Sequence, residues 1–230
     1  MSDTDYDAIA QRYLLLAERC GITGGTLADL GCGTGEMCGR FVRRGFDVIG
    51  IDISEDMLSR AAAKENGAQY VCQDIARLDL GCEVDIIASS LDCLDHLSGE
   101  EEVRKTFERA ASSLRKGGAF IFDVNTIYKH REVLGSNAFV FENDEVFCVW
   151  QNFYNEEDNS VDISLDFFVN TQGGSYERYC EDFTERAYPL ADIEKWLEQA
   201  GFEVVGVYDG LTDKRADESC ERALFLAVRK

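Results

Sequence analysis

The segment LADLGCGTGEM, Leu27–Met37, joins a short apolar run to a loop with glycine at positions 31, 33 and 35. No other stretch restricts the fold as much. Glycines of this spacing let the backbone approach a neighbour or a ligand closely, and the helix that follows presents unpaired N–H groups and a partial positive charge at its start. A strand, a tight loop and a helix in succession belong to a parallel sheet, because parallel neighbours need crossover connections.

The chain continues that alternation. Ahead of the loop, Ile9, Ala10, Tyr13, Leu14, Leu16 and Ala17 recur at helical spacing and predict a helix over 6–18. Strands are predicted over 26–31, 47–52, 68–74, 84–90 and 117–124. Between them lie a helix over 36–45 closed by Gly45, a helix over 54–67 with Ser54 as N-cap, and a helix whose start at Ser98–Glu101 has capping-box spacing. After Asn125 the helical period disappears. Val161, Ile163, Leu165 and Phe167 alternate with polar residues, and two further strand-like runs flank the turn-prone NEEDN and NTQGGS. A small antiparallel meander inserted into the parallel domain is expected there. A helix opened by Pro189 and stopped by Gly201 follows, then two strands over 202–209 and 222–230. The expected organisation is one α/β domain over 1–126 and 189–230, doubly wound, with an antiparallel β insert over 127–188.

The formal charge of −21, from 44 acids against 23 bases, excludes long nucleic acid as an expected partner, since it repels a phosphate backbone. No apolar run approaches the ~18 residues of a membrane span, so no membrane partner is expected, and the acidic N-terminus lacks a signal-peptide layout; a cytoplasmic location is the expectation. The nine cysteines contain no C-x-x-C pair and the two histidines, His96 and His130, lie far apart, so reduced thiols and no metal are expected.

The glycine loop lacks the third glycine of the dinucleotide fingerprint; Glu36 stands in its place and suits a ligand with little negative charge there. Asp52 ends the second strand, where an acid accepts hydrogen bonds from both hydroxyls of a ribose. Asp74 follows the third strand on the same rim and is placed to accept from an exocyclic amine, with Ile53, Met57 and Ile75 sandwiching the ring. Asp29 is expected to order the glycine loop through its backbone amides.

These residues resemble the class I S-adenosylmethionine-dependent methyltransferases. LADLGCGTGE looks like that family's first motif, GIDIS its second, CQDI its third, VDIIASS its fourth and LRKGGAFIFDV its fifth-strand region. GFEVVGVYDG with ERALFLAVRK looks like its terminal hairpin. The resemblance implies a seven-stranded, mostly parallel Rossmann-like sheet with an antiparallel last strand, and S-adenosyl-L-methionine as cofactor with S-adenosyl-L-homocysteine as product. It implies that Gly31, Cys32 and Gly33 line the methionine portion, that Asp52 holds the ribose and that Asp74 and Ile75 meet the adenine. The backbone at Ser89–Leu91, with Ser90 and Leu91 foremost, receives the ammonium end. Tyr6 and Tyr13 resemble the Y-D-x-I-A-x-x-Y opening of small-molecule members, where the first helix caps the cofactor.

Transfer of a methyl group needs an in-line nucleophile more than an acid or base; near-attack geometry alone supplies ~7–11 kcal/mol of barrier reduction. Asp92 and His96 are the candidate catalytic residues, with Asp95 beside them, and a reaction needing no catalytic side chain stays open. Tyr128 and His130 begin the insert and are candidates for reaching substrate. Trp150, Phe153, Tyr154, Phe167, Phe168, Tyr176 and Tyr179 are expected to give the insert an aromatic face, read either as a substrate lid or as a homodimer contact. The resulting expectation is methyl transfer to nitrogen or oxygen of a small metabolite. A cofactor-binding module without catalysis, and a nicotinamide oxidoreductase, are the alternatives.

Overall fold

The computed structural model describes residues 4–171 and 174–230, so the tip of the expected NTQGGS turn at 172–173 lies outside the described residues. The main sheet takes its strands from β1 (Gly25–Leu30), β2 (Phe46–Asp52), β3 (Gln69–Cys72), β4 (Val84–Ser89) and β5 (Leu114–Asn125). In an insert stand β6 (Ala138–Glu142), β7 (Val146–Asn155), β8 (Ser160–Asn170) and β9 (Tyr176–Arg186), and the chain ends with β10 (Phe202–Asp209) and β11 (Arg222–Arg229). The seven-stranded order is β10-β11-β5-β4-β1-β2-β3. Strand β11 pairs antiparallel with both neighbours, while the pairs among β1 to β5 are parallel. The strand order reverses between β1 and β4, and such a switch point opens a crevice at the carboxyl ends of the strands.

Helices cover both faces. On one side lie α1 (Tyr6–Arg19), α2 (Glu36–Arg43) and α3 (Glu55–Ala62); on the other lie α4 (Glu100–Ser113) and α5 (Leu190–Gln199). Strand alternation divides the core accordingly: Leu27, Val48, Ile86, Ile121 and Leu226 meet Leu16 and Phe41, whereas Leu30, Ile87, Phe120, Phe122 and Phe225 meet Phe107 and Trp196. The rings of Phe122 and Phe225 stack at 4.9 Å and 2° between planes. Among the described residues no helix is long and apolar enough to cross a membrane.

Local signals act as expected at Ser54, whose hydroxyl caps α3 by accepting from Met57 N. They fail at Ser98: α4 starts at Glu100 with Gly99 as N-cap, and Glu102 accepts from Ser98 N. The carboxylate that reaches back is thus Glu102 in place of Glu101, and it meets the residue before the N-cap, so no capping box forms.

The insert is a four-stranded antiparallel sheet in the order β6-β7-β8-β9. Register divides its aromatic residues between two faces. Phe139, Trp150, Tyr154, Phe167 and Phe183 lie with Val161, Ile163 and Leu165 on an inner face that packs on Leu134. Phe153 pairs with Asp162, Phe168 with Arg178 and Tyr176 with Asn170, on the opposite face. The single aromatic face expected from composition is therefore two faces, because side chains alternate at every residue.

Candidate functional site

The crevice is built at the ends of β1, β2 and β4. Gly31 and Gly33 both take positive φ, +67° and +53°. A side chain at Gly31 would meet Cys93 Sγ at 2.2 Å, whereas one at Gly33 would meet nothing within 4 Å. The first glycine yields to the protein's own packing; only Gly33 faces open space, where a ligand has room. The loop is tied down by Cys32 N donating to Ile51 O at 3.0 Å and by Gly33 N donating to Asp52 Oδ2 at 2.8 Å.

Asp52 thus has two local tasks, since its Oδ1 accepts from Ser54 N at 2.9 Å. A carboxylate offers about four acceptor positions, so each oxygen retains one for a ribose hydroxyl. Beside it Ile53 and Met57 are 72% and 43% exposed, which leaves an apolar surface uncovered at the mouth of the site. Ile75 does not join them: its side chain is buried in the core on the α4 and α5 side of the sheet. Asp74 is also partly engaged, accepting from Ala76 N at 2.9 Å and lying 3.6 Å from Arg77 Nε.

Asp29 departs from expectation. It receives no backbone amide of the glycine loop; Cys38 Sγ donates to its Oδ2 at 3.1 Å, and Oδ1 is buried without a partner. Burial pushes its carboxyl up to about 7, with Cys38 opposing and Asp52 adding to the rise. Glu36 is held low by Lys64 and then Arg40, at 2.7 and 2.8 Å, so its charge is neutralised within the protein. What separates this loop from a dinucleotide loop is the absent glycine more than a repelling charge.

At the start of α1, Tyr6 lies beneath the Arg40 guanidinium, 5.0 Å from ring centroid to Cζ. Tyr13 is buried, its hydroxyl donating to Asp123 Oδ2 at 2.7 Å and reaching Ser89 O at 3.0 Å. It supports the site from below instead of lining it with a free hydroxyl. Ser90 is buried, and Leu91 and Asp92 both adopt positive φ, +59° and +70°.

The candidate catalytic residues separate in the structure. Asp92 pairs with Arg222, which also binds Asp123, so its carboxylate is not a free base. Burial raises its pKa, against the lowering influence of Arg222. Asp95 is buried too and accepts from Asn125 N at 2.8 Å; burial, then Asp92, holds its pKa well above the ordinary range. His96 is exposed at the rim, its ring 5.2 Å from that of Phe183 in the insert. Asn125 Nδ2 donates to Glu185 at 2.9 Å, so β9 is linked to the end of β5. His130 is wholly buried, with Nδ1 against Asn159 O at 3.0 Å and Nε2 3.7 Å from Glu185, and so does not reach an open substrate site. Tyr128 borders a separate cavity of about 450 Å³ formed with Tyr188, Arg131, Arg215 and Glu218, off the glycine loop. Sequence reasoning gave no site role to Asp123, Arg222, Asn125 and Glu185, although Asp123 and Arg222 lie within quoted motifs; the burial of Asp123, Asn125 and Glu185 and the ion pairs of Arg222 identify them.

A glycine loop at a switch point, an acid at the next strand's end and an exposed apolar shelf beside it define an α/β enzyme that binds a nucleoside cofactor. A methyltransferase-domain family model matches residues 27–118. A candidate methyltransferase of Geobacillus sp. (strain WCH70) is 32% identical over 234 residues, covering 100% of this chain and 95% of its own. YqeM, a candidate methyltransferase of Bacillus subtilis (strain 168), is 32% identical over 209 residues, covering 89% of this chain and 84% of its own. The crystal structure of an S-adenosylmethionine-dependent methyltransferase from Clostridium acetobutylicum ATCC 824 superposes with a TM-score of 0.92 at 30% identity, covering 99% and 93% of the two chains. DesVI of Streptomyces venezuelae shares the fold, with a TM-score of 0.83 at 22% identity over 100% and 94% of the chains. The chain belongs to the class I S-adenosylmethionine-dependent methyltransferase family. Its cofactor is S-adenosyl-L-methionine, and the residues present suit it: open space at Gly33 for a chain without phosphate, free acceptor positions on Asp52, and an apolar shelf at Ile53 and Met57.

Proposed function

We propose that the protein methylates an amino nitrogen of a small molecule, held between the end of β4 and the inner face of the insert. The observation that carries this reading is the concentration of acid at that edge. Asp92, Asp95, Asp123 and Glu185 gather there, with Arg222 paired to two of them and Lys129 donating to Asn125 Oδ1 at 2.8 Å. When bound, S-adenosylmethionine supplies a methyl group on a positively charged sulfur. As nitrogen takes the methyl group, positive charge develops on that nitrogen, and Glu185, whose burial is outweighed by His130 and Asn125 so that its carboxyl stays low, stabilises it. The same negative charge opposes the deprotonation of a hydroxyl, which favours nitrogen over oxygen. An amine acceptor arrives as an ammonium and must lose a proton before attack; we assign that step to His96, which is exposed and lies against Phe183 of the insert. Asn125 and Glu185 orient the approach, and the aromatic inner face excludes water. Phe141 and Tyr179, on that face, are each 55% exposed and lie outside its core, so the face extends past that core.

Among relatives, a dTDP-3-amino-3,4,6-trideoxy-α-D-glucopyranose N,N-dimethyltransferase of Streptomyces venezuelae is 27% identical over 119 residues, which is compatible with an amine acceptor. The test is a screen of paired metabolites, each amine beside its hydroxyl analogue, with release of S-adenosylhomocysteine as the readout. Turnover confined to hydroxyl members defeats the nitrogen assignment.

A further inference from the structure

Asp123 lies buried near the end of β5 and receives four donors. Tyr13 Oη and Leu91 N reach Oδ2 at 2.7 and 3.1 Å; Asp92 N reaches Oδ1 at 3.4 Å, and Arg222 Nη1 reaches the same oxygen. All the acceptor positions of the carboxylate are thereby used, so it has none left for a ligand. The donors come from α1, β11 and the turn after β4. That turn is strained, since Leu91 and Asp92 both take a left-handed conformation that disfavours an L-residue by about 1–2 kcal/mol each. Such strain persists where surrounding contacts over-determine it. Here the contacts are the two amides held by Asp123, with Arg222 bridging from Asp123 to the Asp92 side chain.

We propose that Asp123 is a positioning residue for the cofactor: it holds residues 89–92 in the backbone conformation that receives the amino-acid end, without touching that end itself. The proposal rests on the assignment of Ser89–Leu91 to the methionine portion of the ligand. Tyr13 belongs to the same device. Burial, followed by the charge of Asp123, raises its pKa well above the ordinary phenol value, so it stays a donor. The pairing ties α1 to the floor of the site, because the same hydroxyl also reaches Ser89 O at 3.0 Å.

The test compares two ligands that share the adenosine thioether and differ in the amino-acid end: S-adenosylhomocysteine and 5′-methylthioadenosine. Asp123→Asn keeps the size of the side chain but replaces one acceptor oxygen by a donor nitrogen. Calorimetric titration of the full chain is expected to give about tenfold weaker binding of S-adenosylhomocysteine, with 5′-methylthioadenosine within about twofold of the unmodified protein. Equal weakening of both ligands, or unchanged binding of both, overturns the proposal. If Asp123→Asn does not fold, Tyr13→Phe removes one of the four bonds with little change of shape. It is expected to weaken S-adenosylhomocysteine about threefold and to spare 5′-methylthioadenosine; equal effects on the two, or none, again overturn the proposal. Failure of the unmodified protein to bind either ligand defeats the site assignment itself, and is thereby distinguished from a loss confined to the variants.

Discussion

Replacing Gly33 by alanine adds one methyl group in a place where, among the described residues and beyond its two chain neighbours, no atom lies within 4 Å. Its effect on the free protein is therefore backbone strain alone. At φ +53° an L-residue is disfavoured by about 1–2 kcal/mol. In a chain of 230 residues each kcal/mol lowers Tm by about 2–4 °C, so a fall of about 2–8 °C is expected. The effect on the ligand is separate. The methyl group occupies space that the cofactor's methionine portion requires, and S-adenosylhomocysteine should bind at least about tenfold more weakly, about 1.4 kcal/mol. Gly31→Ala provides the contrast. Its added carbon would stand 2.2 Å from Cys93 Sγ, so Cys93 must move and the loss of stability should exceed that of Gly33→Ala. Thermal unfolding and calorimetric titration of both variants give the two numbers for each. A Gly33→Ala protein with lowered Tm and undiminished affinity would refute the reasoning, because the open space above Gly33 would then not be ligand space.

Asp52→Ala should weaken S-adenosylhomocysteine about ten- to hundredfold by calorimetry, since hydrogen bonds to a charged acceptor contribute about 1.5–3 kcal/mol; unchanged affinity removes Asp52 from the site. Asp29 has its folded pKa raised to about 7 from an ordinary 3.8, so the native state holds the extra proton between those values. Stability contributed by the neutral acid is present at low pH and is lost as pH rises through about 7, by up to about 4 kcal/mol. Asp29→Asn should flatten this slope in urea unfolding between pH 4 and 8, and a slope that persists in the variant assigns it to other groups. Phe122→Ala should destabilise by about 3–5 kcal/mol, because the ring stacks on Phe225 and is fully buried; a Tm loss of only a few degrees would mean that the core refills the space.

The sequence by itself determined the parts of this protein whose causes are local. Strand and helix periods placed β1 to β5 and both closing strands, Ser54 placed the start of α3, and the glycine loop with Asp52 pointed to a nucleoside site, because each depends on residues a few positions apart. Strand β6 and the turns at 75–77 and 93–96 were not legible: their short stretches carry no periodic pattern, and packing decides them. Alternation along β7 to β9 was visible, but which aromatic residues share a face depends on register between strands. The tertiary structure alone decided what touches the site from beneath. Tyr13 reaches Asp123 across 110 residues of sequence and Arg222 reaches it across 99, while Cys93 fills the space over Gly31. Asp92, in the sequence a candidate base, becomes the partner of a half-buried arginine for the same reason. A carboxylate's role is set by the charges and donors the fold brings within a few ångströms of it, and those come from strands that only sheet topology makes neighbours.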